Sequence, residues 1–151
     1  VGEGFSVFMN RADLHQLSEM RLSDAKQLLA SGVNDAGAYY MAGYAVECAL
    51  KACIAKLQGV HPFPPRLRWE ELNQKYYTHS VETLLETAGL KPRLQAAIAV
   101  NPTLGANWAL IATWNEGFRY EPRMSRRQVE DLIAAIEDPQ NGVMTWLKSH
   151  W

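Results

Sequence analysis

Glu47 and Lys51 are a carboxylate and an ammonium four residues apart, in the order that favours pairing across one helical turn. Two chemistries are open to them. Lys51 can meet a phosphate with Glu47 beside it, or the two can close a surface or interhelical ion pair of about 0.2–0.5 kcal/mol, which is the simpler account. His79 sits where a helix begins. It is either a ligand-contacting, pH-sensitive group or, more simply, a ring that orients its own turn through hydrogen bonds. Arg119, Arg123, Arg126 and Arg127 bring four guanidinium groups into nine residues. Arg126 and Arg127 fall in the first turn of a helix, where the backbone dipole is already positive, so an anion-binding role is attractive. Arg66 and Arg68 would extend that patch toward a phosphate backbone. A solvated charge run paired with Glu121, Glu130 and Asp131 accounts for the arginines equally well. Tyr120 and Trp114 have faces for stacking on a base, but Trp114 keeps helical spacing with Ile111 and Trp108 and is read as core. Tyr39, Tyr40 and Tyr44 are read as bundle or dimer surface.

Other chemistries lack their patterns. The chain has no glycine-rich phosphate loop, no Gly-x-Ser-x-Gly elbow and no His-Glu-x-x-His. His15, His61, His79 and His150 are scattered, without zinc-ligand spacing, so neither metal nor cofactor is expected. Cys48 and Cys53 are five apart on one helix and point to different faces. They are expected to be buried thiols in a reducing cytoplasm rather than a disulfide.

The elements that must position these residues are helical. At 151 residues the chain is about one domain long, with 48% hydrophobic and 21% charged residues. Fifteen basic against sixteen acidic residues give a formal charge of -1, which argues against a strongly basic nucleic-acid binder. Residues 1–5 carry no basic segment ahead of an apolar one, and the long uncharged stretch from Leu94 to Asn115 is broken by Pro102 and Gly105. Neither a signal peptide nor a membrane span is expected.

Apolar residues recur at helical spacing from Asn10 to Ser31, closed by Gly32, and from Asp35 to Gln58, closed by Gly59. The second segment is rich in Ala and Gly, which lets neighbours approach closely and predicts a central helix. Residues 59–73, with Pro62, Pro64 and Pro65, read as a long surface loop. Thr78 or Ser80 caps a short helix, Pro92 opens another, and Asn101–Pro102 bends or restarts the chain. Ser125 and Gln128 form a capping box ahead of Val129, Leu132, Ile133 and Ile136. Asp138–Pro139 kinks or restarts that helix. The reading is one all-α domain over residues 1–151, an antiparallel up-and-down bundle of about five helices.

Four segments carry a resemblance. Arg21 to Leu29 with Ala38 to Ala52, including Glu47-x-x-Leu50-Lys51, resembles the first two helices of the HEPN family. Thr78-His79-Ser80-Val81-x-x-Leu84-Leu85 is similar to that family's His-x-Leu segment, and Arg119-Tyr120-Glu121-Pro122 to its Arg-Tyr-x-Pro segment. The resemblance spans roughly residues 13–136. It implies a helical bundle, usually a homodimer, that is either a metal-independent RNase acting beside a nucleotidyltransferase partner or a module that binds nucleotide, RNA or another protein. The RNase members carry an Arg followed four to six residues later by a His. Here Arg119 is followed by Tyr120, Glu121, Pro122, Arg123, Met124, Ser125 and Arg126, with no His.

The expectation is therefore a cytoplasmic, non-catalytic module of a toxin–antitoxin-like or defence system. It would bind nucleotide or RNA phosphate, or a nucleotidyltransferase-type partner, with candidate contacts Arg119, Tyr120, Arg123, Arg126, Lys51, Glu47 and His79. Two alternatives stand beside it: a degenerate RNase with His79 as base and Arg119 as phosphate clamp, and a purely structural dimerisation module.

Overall fold

The computed structural model describes residues 9–57, 59, 62–63 and 74–151. Among them are seven α-helices: α1 (Arg11–Ser31), α2 (Asp35–Leu57), α3 (Val81–Thr87), α4 (Lys91–Val100), α5 (Pro102–Ala112), α6 (Arg126–Glu137) and α7 (Val143–Lys148). A 3-10 helix, Glu116–Tyr120, lies between α5 and α6. Helices outnumber the expected five because Asn101–Pro102 and Asp138–Pro139 restart the chain rather than bend it. Most of the 59–73 loop, with Arg66 and Arg68, lies outside the described residues.

Local chemistry sets the helix ends. Asn10 and Asp13 form a reciprocal box in which each side chain accepts the other's backbone N–H at 2.9 Å. Ser125 and Gln128 repeat it at the start of α6. Such caps are each worth about 1 kcal/mol. Gly32 ends α1 at φ +70°, a left-handed conformation that costs a side-chain-bearing residue energy. Asn101 closes α4 and caps α5, its Oδ1 accepting from Leu104 N–H at 3.3 Å while its Nδ2 donates to Asn141 at 2.9 Å.

α2 is the central helix, as its small side chains predict. It touches α1, α3, α6, α7, the 3-10 helix and the second of two short strands described below. Fourteen of its 23 residues are buried, so no broad face is left for solvent. Ala38, Ala42, Ala45, Ala49 and Ala52 are fully buried. The approach to α1 is close enough for Ser18 to donate across it to the Ala45 carbonyl at 2.8 Å. The rest of the core is Leu14, Leu84, Leu85, Ile111, Val129, Leu132, Ile136 and Leu147, all nearly inaccessible. Each such side chain contributes about 1.5–3 kcal/mol by leaving water. No helix among the described residues is long and apolar enough to cross a membrane.

One feature has no counterpart in the sequence pattern. Met9–Asn10 (β1) pairs antiparallel with Pro62–Phe63 (β2), Met9 opposite Phe63. Two residues are too few for a period-two signal.

In the second turn of α1, His15 stacks on Trp151 with ring centroids 4.1 Å apart. Burial and then the charge of Arg11 push its pKa below the ordinary 6.5; Glu19 opposes them, and Lys56 adds a smaller downward push. The native state therefore holds fewer protons than the unfolded chain in the pH range just below 6.5. Its contribution is complete above about pH 6.5 and lost as the pH falls through that window. Urea denaturation at pH 7 and pH 5 is expected to show a larger acid loss for the parent than for His15→Phe. Equal losses would remove His15 from the account.

Candidate functional site

The candidate residues fall into two groups on α2. The first is buried. Glu47 is only 1% exposed, although it lies in the middle of a helix. Lys51 Nζ donates to its Oε1 at 2.6 Å. His79, arriving from the turn before α3, places Nδ1 3.0 and 3.1 Å from the two carboxylate oxygens. The ion pair, expected at the surface or between helices, is thus a buried carboxylate held by two nitrogen donors. The Glu47–Lys51 pair forms as one of the two expected chemistries, but inside the molecule and not on its surface, because α2 is central and position 47 meets packed chain rather than solvent. His79 orients itself on α2, not on its own turn, which Ser80 caps instead by accepting from Thr83 N–H. With Nδ1–H committed to Glu47, the neutral ring carries its lone pair on Nε2.

A small cavity of about 180 Å³ opens beside Lys51, with Leu14, Tyr44, Cys48 and Phe63 among its walls. Burial raises the Cys48 thiol to about 12, and that of Cys53 likewise, so neither is a thiolate nucleophile near neutrality. Both thiols are free and buried, as expected. Among the described residues no cluster of three or more His, Cys, Asp or Glu could hold a metal ion.

The second group surrounds a cleft of about 450 Å³ at the start of α2. One wall is the α1–α2 turn, with Asn34 and Gly37, and Tyr40 one turn further on. The other is the 3-10 helix and the residue after it, with Phe118, Arg119, Tyr120 and Glu121. Asn34 Oδ1 accepts from Gly37 N–H at 2.8 Å and fixes the first turn of α2. Tyr40 is held from behind by Trp114, ring centroids 5.8 Å apart. Arg119 lies over the Tyr120 ring at 4.9 Å, and that ring is 77% exposed. The polar balance is one guanidinium, the positive end of a 23-residue helix, and one carboxylate, Glu121. Glu121 is partly engaged, accepting from Arg123 N–H at 2.9 Å.

The four arginines do not act together. Arg126 is occupied: its Nη1 donates to the Leu29 carbonyl at 2.9 Å and lies 3.9 Å from Asp35, while Nε meets Glu130 at 3.1 Å. It bolts the α1–α2 turn to α6. Arg127 faces Asp131 at 3.9 Å and is largely in solvent. Arg123 is exposed and is not among the residues that line the cleft.

Trp114 is core, 2% exposed, as its spacing predicts. Tyr39 is buried against Phe118 rather than on a surface, and Tyr40 and Tyr44 are half-buried and stacked. Sequence reasoning missed the Asn34–Gly37 wall; the signal available was an Asn one residue ahead of a helix start. The two groups are not joined. Tyr40 and Glu47 lie two helical turns apart on α2, about 10 Å at 1.5 Å per residue. Arg119 makes its ring contact at the first level and His79 its hydrogen bonds at the second. No protein-family model matches this chain, and no characterised protein or solved structure matches it.

Proposed function

We propose that the protein is a HEPN-like, non-catalytic module that binds nucleotide or RNA phosphate in the cleft of Arg119 and Tyr120. The observation that carries this reading is the exposed Tyr120 ring with a guanidinium stacked on it, at the rim of a cleft that ends on a helix N-terminus. The ring supplies a face for a base, and Arg119 with the helix dipole supplies positive charge for a phosphate. The segment resemblance supports the same reading, as does the absence of a His four to six residues after Arg119.

The test is a titration of fluorescently labelled short RNA, and of ATP and GTP, against the parent, Arg119→Ala and Tyr120→Ala. A stacked base or a charge-assisted phosphate contact is worth about 1–3 kcal/mol, so each variant is expected to weaken binding roughly 5- to 150-fold. Both side chains are surface groups, so melting temperatures stay near the parent's. Unchanged affinity in both variants would discard the site.

The Glu47–His79 pair favours a second reading, a degenerate RNase. A carboxylate that fixes Nδ1–H leaves Nε2 as a base for a 2′-hydroxyl. Its phosphate clamp would be Lys51 rather than Arg119, because Lys51 shares the carboxylate. RNA cleavage at high protein concentration that disappears in His79→Ala would select this reading over the first.

A further inference from the structure

A second cationic cleft lies at the opposite end of α2. Between Gly37 and Lys56 lie about 28 Å of helix at 1.5 Å per residue. There the last turn of α2, the α3–α4 turn and the residues after α7 enclose about 370 Å³. Lys56 and Arg93 stand on its walls with His150, and no Asp or Glu among the described residues lines it. Neither Lys56 nor Arg93 has a carboxylate partner among the described residues, whereas the neighbouring charges cancel in pairs: Lys91 with Glu86 at 2.5 Å and Lys148 with Glu19 at 3.4 Å. α2 ends here and contributes about half a negative charge, which two full cationic charges outweigh.

The His150 ring is set by its neighbours. Ser149 Oγ donates to the Trp146 carbonyl at 2.6 Å. His150 Nδ1 lies 3.0 Å from that same carbonyl and 2.8 Å from Ser149 Oγ. A carbonyl only accepts, so Nδ1 carries the proton and Nε2 is the ring's open position. An acceptor beside two cations matches a ligand with both an anionic group and a hydroxyl. Leu57, Ala88 and Leu90 give the cleft apolar wall, and its volume exceeds what a bare inorganic anion fills. The positive charge here is felt by neighbouring groups too: Lys56 and Arg11, whose Nη2 donates to the Trp151 carbonyl, add to the lowering of His15 and partly offset the larger rise that burial gives Cys53.

We propose that this cleft binds a small phosphate monoester bearing a hydroxyl, its phosphate between Lys56 and Arg93 and its hydroxyl on His150 Nε2. The site shares no residue with the Arg119 cleft and stands or falls separately from it.

The test is a titration with ribose 5-phosphate followed in backbone amide NMR spectra. Saturable shifts are expected at the Gly89 and Ser149 amides. Lys56→Gln and Arg93→Gln should each weaken binding roughly tenfold or more, since each removes a charge-assisted contact. Arg119→Ala should leave it unchanged. Both substituted residues are exposed, so the variants keep the parent's spectrum elsewhere. No saturable shift at those amides, or shifts that survive in the Lys56→Gln/Arg93→Gln double variant, would overturn the proposal. Loss of the shifts in Arg119→Ala would also overturn it, by placing the ligand in the other cleft.

Discussion

Glu47→Ala is expected to lower stability by about 3–5 kcal/mol, the usual consequence of removing one partner from a buried ion pair. The carboxylate is 1% exposed and answers both the Lys51 ammonium and His79 Nδ1. Truncation strands Lys51, whose side chain is only 14% exposed, with a charge and no acceptor from Glu47. His79 loses less, because its side chain is 37% exposed and water can replace the contact. For a domain of this length each kcal/mol moves the melting temperature by about 2–4 °C, so the loss should be on the order of 10 °C. Glu47→Gln keeps the shape and one acceptor oxygen and should fall between. The pair Glu47→Leu/Lys51→Met should recover most of the loss, because two buried charges exchanged for packed apolar groups are often neutral. A melting temperature for Glu47→Ala within about 2 °C of the parent would refute a stabilising role for the cluster.

The second large effect runs against helix propensity. Alanine is favoured over glycine in a helix interior by about 1 kcal/mol, yet Gly43→Ala should destabilise by about 1–3 kcal/mol. A Cβ at position 43 would fall on the indole of Trp114. That ring is 2% exposed and packs into the notch the glycine leaves. Its indole N–H is buried with no partner among the described residues, a cost of about 1–3 kcal/mol. Burying a side chain of this size returns roughly 4–6 kcal/mol, so the ring stays. Adding one methyl group breaks that balance and pushes on Tyr40, the inner wall of the Arg119 cleft. Nucleotide affinity should therefore fall together with stability. In a Trp114→Ala background the same substitution should cost far less, and an undiminished cost there would show that the clash is elsewhere.

These two residues mark where sequence reading succeeds and where it stops. Caps and stops are local chemistry, so Asn10, Ser125, Gly32 and Gly89 could be placed from their neighbours alone. The centrality of α2 followed from its small side chains, and the burial of Trp114 from its spacing to Trp108 and Ile111. The Glu47–His79 contact spans 32 residues and depends on how α3 docks, which no spacing rule contains. Arg126 misled for a related reason. A cation in a first helical turn suggests a missing anion, but the acceptors are the Leu29 carbonyl, 97 residues away, and Glu130, with Asp35 close by. Gly43 looked like one more small residue on a small-sided helix until a ring from the end of α5 was seen to fill its place.

The two-residue ladder between Met9–Asn10 and Pro62–Phe63 has a consequence for the order in which the chain organises. Two residue pairs cannot offset the entropy of closing a loop of more than fifty residues from the unfolded state. α1 and α2 are of nearly equal length and turn back on each other after three residues, so the start of one lies beside the end of the other. Once that helical hairpin exists, the ladder closes a gap of only a few residues. It is therefore a late clasp, conditional on the hairpin: it can open while the hairpin stands, but it has no independent existence once the hairpin is lost.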